Sequence, residues 1–330
     1  MKETRYPKIT LITPSFNQGR FLEETIRSVL DQQYPNLEYM IIDGGSTDLS
    51  ADIINQYKSK LAWTVSEKDR GQAHAVNKGL QRATGEVIGW LNSDDYFHPE
   101  ALFRVGENFN DPSFNCVIGK IEYFTGSQPS HRSKNVIKHP VEKTIGSGTV
   151  PQPAMFFRKS CYDEIGLLNE KLDFCFDGEW YMRYLIHYGI EGIKEINDLL
   201  VHFRFHHDSK TMTQDNGFNR ERNTICYSIA SQLGLDPLKD LLAMLYEPDL
   251  NYRFDIPSNP KGTDLQKAMN YFVMQLGNEF YARSEREKAK LCFNLVNTAM
   301  LDSQARSLFN RLKFRNSYLP AGLIRLFRKR

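Results

Sequence analysis

Asn92-Ser93-Asp94-Asp95 places two adjacent carboxylates directly after the apolar run Val87-Ile88-Gly89-Trp90-Leu91 and shortly before Pro99. A short apolar run bounded by turn residues reads as a buried strand, which puts the acids at its carboxyl end. In open α/β sheets that rim is where ligands bind. Two acids crowded there repel unless a cation or hydrogen-bond donors compensate, and hard oxygen donors suit Mg2+ or Mn2+ holding a diphosphate. The plainer reading of the same residues is an Asp-Asp turn that caps the next helix.

Three further loops carry polar groups of this kind. Thr13-Pro14-Ser15-Phe16-Asn17-Gln18-Gly19 follows the first apolar strand, where a dinucleotide-binding fold carries Gly-x-Gly-x-x-Gly; that fingerprint is missing, which argues against a dinucleotide cofactor. Thr13, Pro14 and Ser15 can instead wall a pocket that meets a base or ribose, or form a plain strand-to-helix turn. Asp43 ends the second strand ahead of Gly44-Gly45-Ser46-Thr47-Asp48, and its carboxylate suits the imide N–H of uracil, whereas Asp48 suits a helix cap. Glu67-Lys68-Asp69-Arg70-Gly71-Gln72 is either a solvated turn or a rim loop in which Asp69 meets a nucleoside and Arg70 a diphosphate.

What positions these loops is an alternation of strand-like and helix-like segments. Ile9 to Thr13, Tyr39 to Ile42, Leu61 to Val65, Val87 to Leu91 and Cys116 to Tyr123 read as strands, with helices over Phe21 to Leu30, Gln72 to Ala83 and onward from Pro99. Strands separated by helix-length segments imply an α/β fold, a Rossmann-like, mostly parallel sheet flanked by helices. Phe124 to Val150 breaks into Gly, Ser, Pro, His and Lys and reads as a long surface loop. Helices near Lys159 to Ile165 and over Gly178 to Tyr188 follow, then a late strand at Leu199 to Phe205. Beyond about Asn216 the pattern is helical only, so the expected division is a domain over 1–215 and an all-helical extension over 216–330. Within it Leu276-Gly277, Phe280, Ala289 and Phe293 match the spacing of one tetratricopeptide-like hairpin, which must pack on neighbouring helices because a single repeat cannot bury its own apolar face.

Composition bounds the partners. A net charge of +2 over 330 residues argues against a dedicated nucleic-acid binder. No window approaches the roughly 18 apolar residues of a membrane span, and Met1-Lys2-Glu3-Thr4-Arg5 lacks the apolar core of a signal peptide, so a cytoplasmic protein is expected. Cys116, Cys161, Cys175, Cys226 and Cys292 are odd in number and scattered, which reads as reduced thiols.

In order and spacing, Thr13-Pro14-Ser15-Phe16-Asn17, Asp43 to Asp48, Asp69-Arg70-Gly71 and Asn92 to Asp95 resemble the family-2 glycosyltransferases, inverting enzymes of the GT-A fold that use nucleotide-activated sugars. The resemblance runs over roughly residues 7–110 and more weakly to about 210. It implies transfer from a nucleotide sugar, with a UDP-sugar favoured, to a cell-surface glycan or lipid-linked acceptor, assisted by Mn2+ or Mg2+. By that resemblance Asp43 and Asp69 are nucleoside contacts, Asp94 is the metal-bound acid, and Asp95 joins the substrate-binding set. Asn92 stands where the family's Asp-x-Asp motif has its first acid, and Gly44 where its Asp-Asp-Gly-Ser motif has its second; Asn92 can still orient a ribose or a metal-bound water. The family's acceptor base precedes a late helix, and Leu172-Asp173-Phe174-Cys175-Phe176-Asp177-Gly178-Glu179-Trp180 is similar to that stretch, with Asp177 as base, Asp173 and Glu179 as competitors, and helix capping as the other role for Asp177. Arg204-Phe205-His206 resembles the family's closing Arg-x-His element, where His206 completes the metal or diphosphate site.

Other classes stay open. A nucleotidyltransferase would need a Gly-rich, Arg-containing loop after the first strand, and residues 13–20 hold one Gly. A catalytically silent scaffold would use the helical extension to bind a protein partner. Leu319, Leu323, Ile324, Leu326 and Phe327 alternate with Arg325, Arg328, Lys329 and Arg330, a basic amphipathic segment suited to peripheral contact with an anionic membrane or to a solvated terminus.

Overall fold

The architecture is that of a computed structural model, described over residues 5–125, 128–207, 209–210 and 215–318. Its organising strand is β1 (Ile9–Ser15), buried at all seven positions between β2 (Leu37–Asp43) and β4 (Val87–Trp90), which both run parallel to it. A strand covered on both faces needs an unbroken apolar run, and Ile9, Leu11 and Ile12 supply it alongside Thr10 and Thr13. β3 (Trp63–Ser66) extends the parallel set beyond β2. On the other side the order continues through β8 (Met155–Arg158), β6 (Cys116–Thr125), β9 (Ile193–Phe205) and β5 (Tyr96–Phe97), with β7 (Gln128–Arg132) paired to β6. β5, β7 and β8 run against the other strands, so the sheet is mixed but mostly parallel.

Helices α1 (Gly19–Leu30), α2 (Ser50–Tyr57), α3 (Gln72–Arg82) and α4 (Ala101–Asn108) connect the early strands. Leu22, Ile26 and Val29 share one face of α1 at helical spacing and enter the core with Ile9, Leu11, Ile41 and Val87. α6 (Lys159–Ile165) and α7 (Phe176–Tyr188) follow β8, and Trp180 of α7 is buried against Phe157 and Tyr162.

The chain divides into two compact units. One takes the residues up to Val136, Val150–Tyr184 and Tyr188–Asp215; the other takes Ile137–Thr149, Leu185–His187 and the residues from Asn216 onward. The segment read above as a surface loop is therefore structured: it supplies β7 and α5 (Val141–Ser147), and α5 buries Thr144 and Ile145. Its one-turn apolar pattern is too short to stand out from a loop in the sequence. β9 likewise starts earlier than Leu199, because Ile193 to Glu195 pair with Cys116 to Ile118 before a shift in register admits the polar Asn197 and Asp198.

The second unit also holds α8 (Asp215–Gln232), α9 (Asp236–Tyr246), α10 (Leu265–Ala282), α11 (Arg286–Leu295) and α12 (Ser303–Tyr318). α10 and α11 form a helical hairpin in which Gly277 leaves room for Phe293; a Cβ at 277 would lie 2.5 Å from the Phe293 ring. Residues 319–330, with their basic amphipathic pattern, lie outside the described residues. Among the described residues no helix is long and apolar enough to cross a membrane.

At the foot of β1 and β2 a polar cluster ties three segments together. Glu38 accepts hydrogen bonds from Lys8 Nζ (2.9 Å), Thr10 Oγ1 (2.5 Å), Thr84 Oγ1 (2.6 Å) and the Thr84 backbone N–H (2.8 Å). Burial works against its charge, but the Thr10, Thr84 and Lys8 donors win and hold its pKa at about 2. A lowered carboxylate pKa contributes stability above the unfolded value and loses it as pH falls toward the folded one. Glu38→Gln is therefore expected to lower the unfolding free energy at pH 7 by about 2 kcal/mol. In urea titrations the gap between the two proteins should close as the pH drops from 4.5 toward 2.

Candidate functional site

The carboxyl ends of β1, β2, β3 and β4 form one rim, and the loops leaving β1 and β2 are pinned to each other there. Gly44 N–H donates to Ser15 O (2.8 Å), Asn17 N–H to Ser46 Oγ (2.8 Å), and Thr47 N–H to Asn17 Oδ1 (2.9 Å). Asp48 accepts from Gly19 N–H (2.8 Å) and Ser50 N–H (2.9 Å), so it caps the starts of both α1 and α2. Asp43 is fully buried and accepts from Ser66 Oγ (2.6 Å), Ser46 Oγ (2.5 Å) and Ser46 N–H (2.9 Å). Its carboxylate thus organises the turn that would receive a base.

Thr13, Pro14 and Ser15 are all buried. The Thr13 hydroxyl lies 3.1 Å from Tyr39 OH, inside the sheet rather than at the rim, because β1 places alternate residues on opposite faces. Ser15 Oγ has no hydrogen-bond partner among the described residues. Asp69 accepts from Gly71 N–H (2.9 Å), and its Oδ2 lies 2.8 Å from where a Cβ on residue 44 would stand. Gly44 therefore vacates the space that the Asp69 carboxylate fills. Arg70 is paired with Glu170, which also accepts from Asn77 Nδ2 (2.9 Å). Burial opposes the Glu170 charge, yet the Asn77 and Arg70 donors hold its pKa below the usual range.

The two crowded acids are sent opposite ways. Asp95 is buried and accepts from the Arg204 backbone N–H (3.0 Å), while its own carbonyl accepts from Thr25 Oγ1 (2.7 Å). Burial first, and the neighbouring Asp94 charge second, push its pKa well above the ordinary carboxylate value. Asp94 instead faces His206, with Oδ2 2.9 Å from Nε2. Arg20 Nη2 lies 3.0 Å from His206 Nδ1, so both ring nitrogens of His206 are engaged. Arg204 Nε donates to Asp94 O (3.0 Å), its guanidinium pairs with Glu24, and it lies over Phe21 (4.6 Å) and Phe124 (4.9 Å). Asn92 Oδ1 accepts from Gln72 Nε2 (2.8 Å).

This donor set fits a divalent cation shared with a substrate. Among the described residues no group of three or more His, Cys, Asp or Glu could hold an ion unaided. Asp94 Oδ2 and His206 Nε2 are nevertheless as far apart as adjacent ligands in a six-coordinate site with bonds of about 2.1 Å, which are separated by about 3 Å. Two protein ligands, with the remainder from diphosphate and water, are the usual provision beside a phosphorylated substrate.

Asp177 stands in the first turn of α7, half-buried, with Oδ1 accepting from Gly178 N–H (2.7 Å). Val150 lies against Gly178, and Gln152 Nε2 donates to Trp90 O (2.8 Å), which brings the start of α7 to the β4 end of the rim. Glu179 loses its candidacy as a base. It is 1% exposed and its carboxylate is held by Arg183 (2.9 Å), which also donates to the carbonyls of Ile165 and Leu167. Asp173 is exposed, with Oδ1 beside Gly71.

Sequence reasoning missed Arg20, Thr25 and Gln72 and gave Arg204 no work of its own. Gln72 and Arg204 stand within stretches quoted for other residues, while Arg20 and Thr25 are ordinary α1 residues whose partners lie far along the chain. Only the donor capacity of Arg204 beside an acid pair could have signalled its role.

The family model for glycosyl transferase family 2 matches residues 10–183. A putative teichuronic acid biosynthesis glycosyltransferase of Bacillus subtilis (strain 168), TuaG, is 39% identical over 99 residues, which are 29% of this chain and 39% of that protein. The chain thus spans well under half the length of that relative. Among solved structures, Staphylococcus aureus TarS 1–349 in complex with UDP superposes with a TM-score of 0.56 at 15% identity, over 94% of this chain and 88% of that one. The mannosyltransferase PcManGT from Pyrobaculum calidifontis, in complex with GDP-Man and Mn2+, gives 0.54 at 17% identity, over 99% and 89%. At those identities the likeness is one of fold.

The Glu179–Arg183 pair separates structural from chemical carboxylates. Removing one partner of a buried pair leaves an uncompensated charge, so Glu179→Ala is expected to cost about 3–5 kcal/mol in urea unfolding. Activity per folded molecule should be retained.

Proposed function

The chain belongs to glycosyl transferase family 2, and from that premise we propose an inverting transfer of a sugar from a nucleotide-sugar donor, with a UDP-sugar favoured, to a cell-surface glycan or lipid-linked acceptor. The observation that carries this reading is the Asp94–His206 pair at the rim, 2.9 Å apart, fed by strands β4 and β9. Fold neighbours are bound to UDP, UDP-GlcNAc and GDP-Man, and the teichuronic acid protein is named for envelope polysaccharide synthesis, which supports the donor and acceptor classes chosen here.

In this reading Asp43 and Asp69 take the nucleoside, Pro14 and Ser15 wall its pocket, and Asn92 orients the ribose or a water. Asp94 and His206 hold Mn2+ or Mg2+, which supplies charge stabilisation for the departing diphosphate. Arg70 leaves Glu170 to reach the diphosphate, and Arg204 holds the backbone of Asp94 in place. Asp177 removes the acceptor hydroxyl proton as that oxygen attacks the anomeric carbon on the face opposite the leaving group. Asp173, exposed with Oδ1 beside Gly71, is the competing choice of base.

Release of nucleoside diphosphate from a panel of nucleotide sugars, with Mn2+, with Mg2+ and with chelator, tests the donor half. One donor should turn over slowly without acceptor, and chelation or Asp94→Ala should abolish that turnover; release independent of metal would defeat the assignment of Asp94. For the acceptor half, Asp177→Asn should lower kcat by about 10²–10⁴-fold while donor binding stays within about threefold. A loss confined to donor KM would remove Asp177 from the base role.

A further inference from the structure

Residues 303–330 contain Arg306, Arg311, Lys313, Arg315, Arg325, Arg328, Lys329 and Arg330 and not one of the chain's 40 Asp and Glu, so a protein of net charge +2 is net acidic elsewhere and strongly basic in this one stretch. The described part of it is α12. Ala305, Phe309, Leu312 and Asn316 form its buried face. At 3.6 residues per turn, Arg311, Phe314 and Tyr318 fall together on the other side, and Leu308 flanks the buried face. Leu308, Phe314 and Tyr318 are 38%, 58% and 74% exposed, and Arg311 is exposed among them. Large apolar side chains interleaved with cations on one open helix face are unusual for a surface that meets only water.

We propose that this face of α12 is a docking surface for an anionic lipid bilayer. Charge selects the occupant: the stretch offers cations and no acid, which complements a sheet of anionic headgroups. The apolar content selects among anions. Phe314 and Tyr318 offer side chains that enter the headgroup boundary, and the sequence beyond them adds Leu319, Leu323, Ile324, Leu326 and Phe327, four of the five aliphatic and so suited to acyl chains rather than to nucleotide bases. A second copy of this chain is a poor occupant, because a self-interface would set Arg311 and its neighbouring cations against their own images. The inference stands independently of the donor and acceptor chosen above, since none of these residues belongs to the rim.

The test is flotation or co-sedimentation of the full chain with vesicles of phosphatidylcholine alone and of about three parts phosphatidylcholine to one of phosphatidylglycerol. Binding is expected to the anionic vesicles only, and to fall when salt is raised to about 0.5 M. Arg311→Glu should weaken it at least about fivefold, the effect of removing one cation. Phe314→Ser with Tyr318→Ser should weaken it while leaving the salt dependence, and both variants should keep wild-type thermal melting and donor turnover. Equal binding to neutral vesicles, or indifference to the charge reversal, overturns the proposal. So does tighter binding to a single-stranded oligonucleotide than to the vesicles, or a concentration-dependent dimer that Phe314→Ser dissolves.

Discussion

Two carboxylates on consecutive residues cannot both be ionised in one desolvated environment, and the rim of this sheet is built around that constraint. Asp95 is turned inward, where burial and the adjacent charge favour its neutral form. Asp94 is turned outward to His206. The division requires β9, which arrives more than a hundred residues later in the chain, because the Arg204 backbone steadies Asp95 and the Arg204 side chain steadies the Asp94 carbonyl. β5 exists to make this meeting possible: its two residues Tyr96 and Phe97 pair with His202 and Val201 and bring the acid loop against the end of β9.

The β1–β2 side of the rim follows a different principle, mutual support between loops. Asp43 and Asn17 are tied to the Ser46-Thr47 turn, and Asp48 to the Gly19 and Ser50 N–H groups, so the loops fix one another's geometry. The two departures from the family's usual acids both have local reasons. Gly44 yields its space to the Asp69 carboxylate, and Asn92 is fixed by Gln72 in the place of a charged residue, which lessens the crowding around Asp94. Arg70 differs from these groups in being exposed and engaged by Glu170, a surface pair whose net strength is small and which a stronger anion can displace.

In the second unit the same economy of side chains decides packing. Gly277 allows Phe293 into the α10–α11 hairpin, and the buried faces of α10 and α12 account for their apolar residues apart from those left open on α12. The acid-free stretch that begins there, residues 303–330, is longer than the acid-free runs 123–141 and 143–162 earlier in the chain.

The sequence by itself determined the sheet's parallel half, the loops at its rim and the places of Asp43, Asp69, Asn92 and Asp94 on them, because these features are local: an apolar run followed within a few residues by the polar groups it carries. The resemblance in motif order is what brings Asp177 and His206 into the proposed site. Tertiary structure alone decided which groups are available and which are consumed. Thr13 is spent on Tyr39 and Glu179 on Arg183, while Arg20, Thr25 and Arg204 acquire roles at the acid loop. α5 and the early half of β9 were illegible for a related reason. Their apolar residues are few, and what makes them helix and strand is burial against segments far away in the chain, a condition no window of sequence contains.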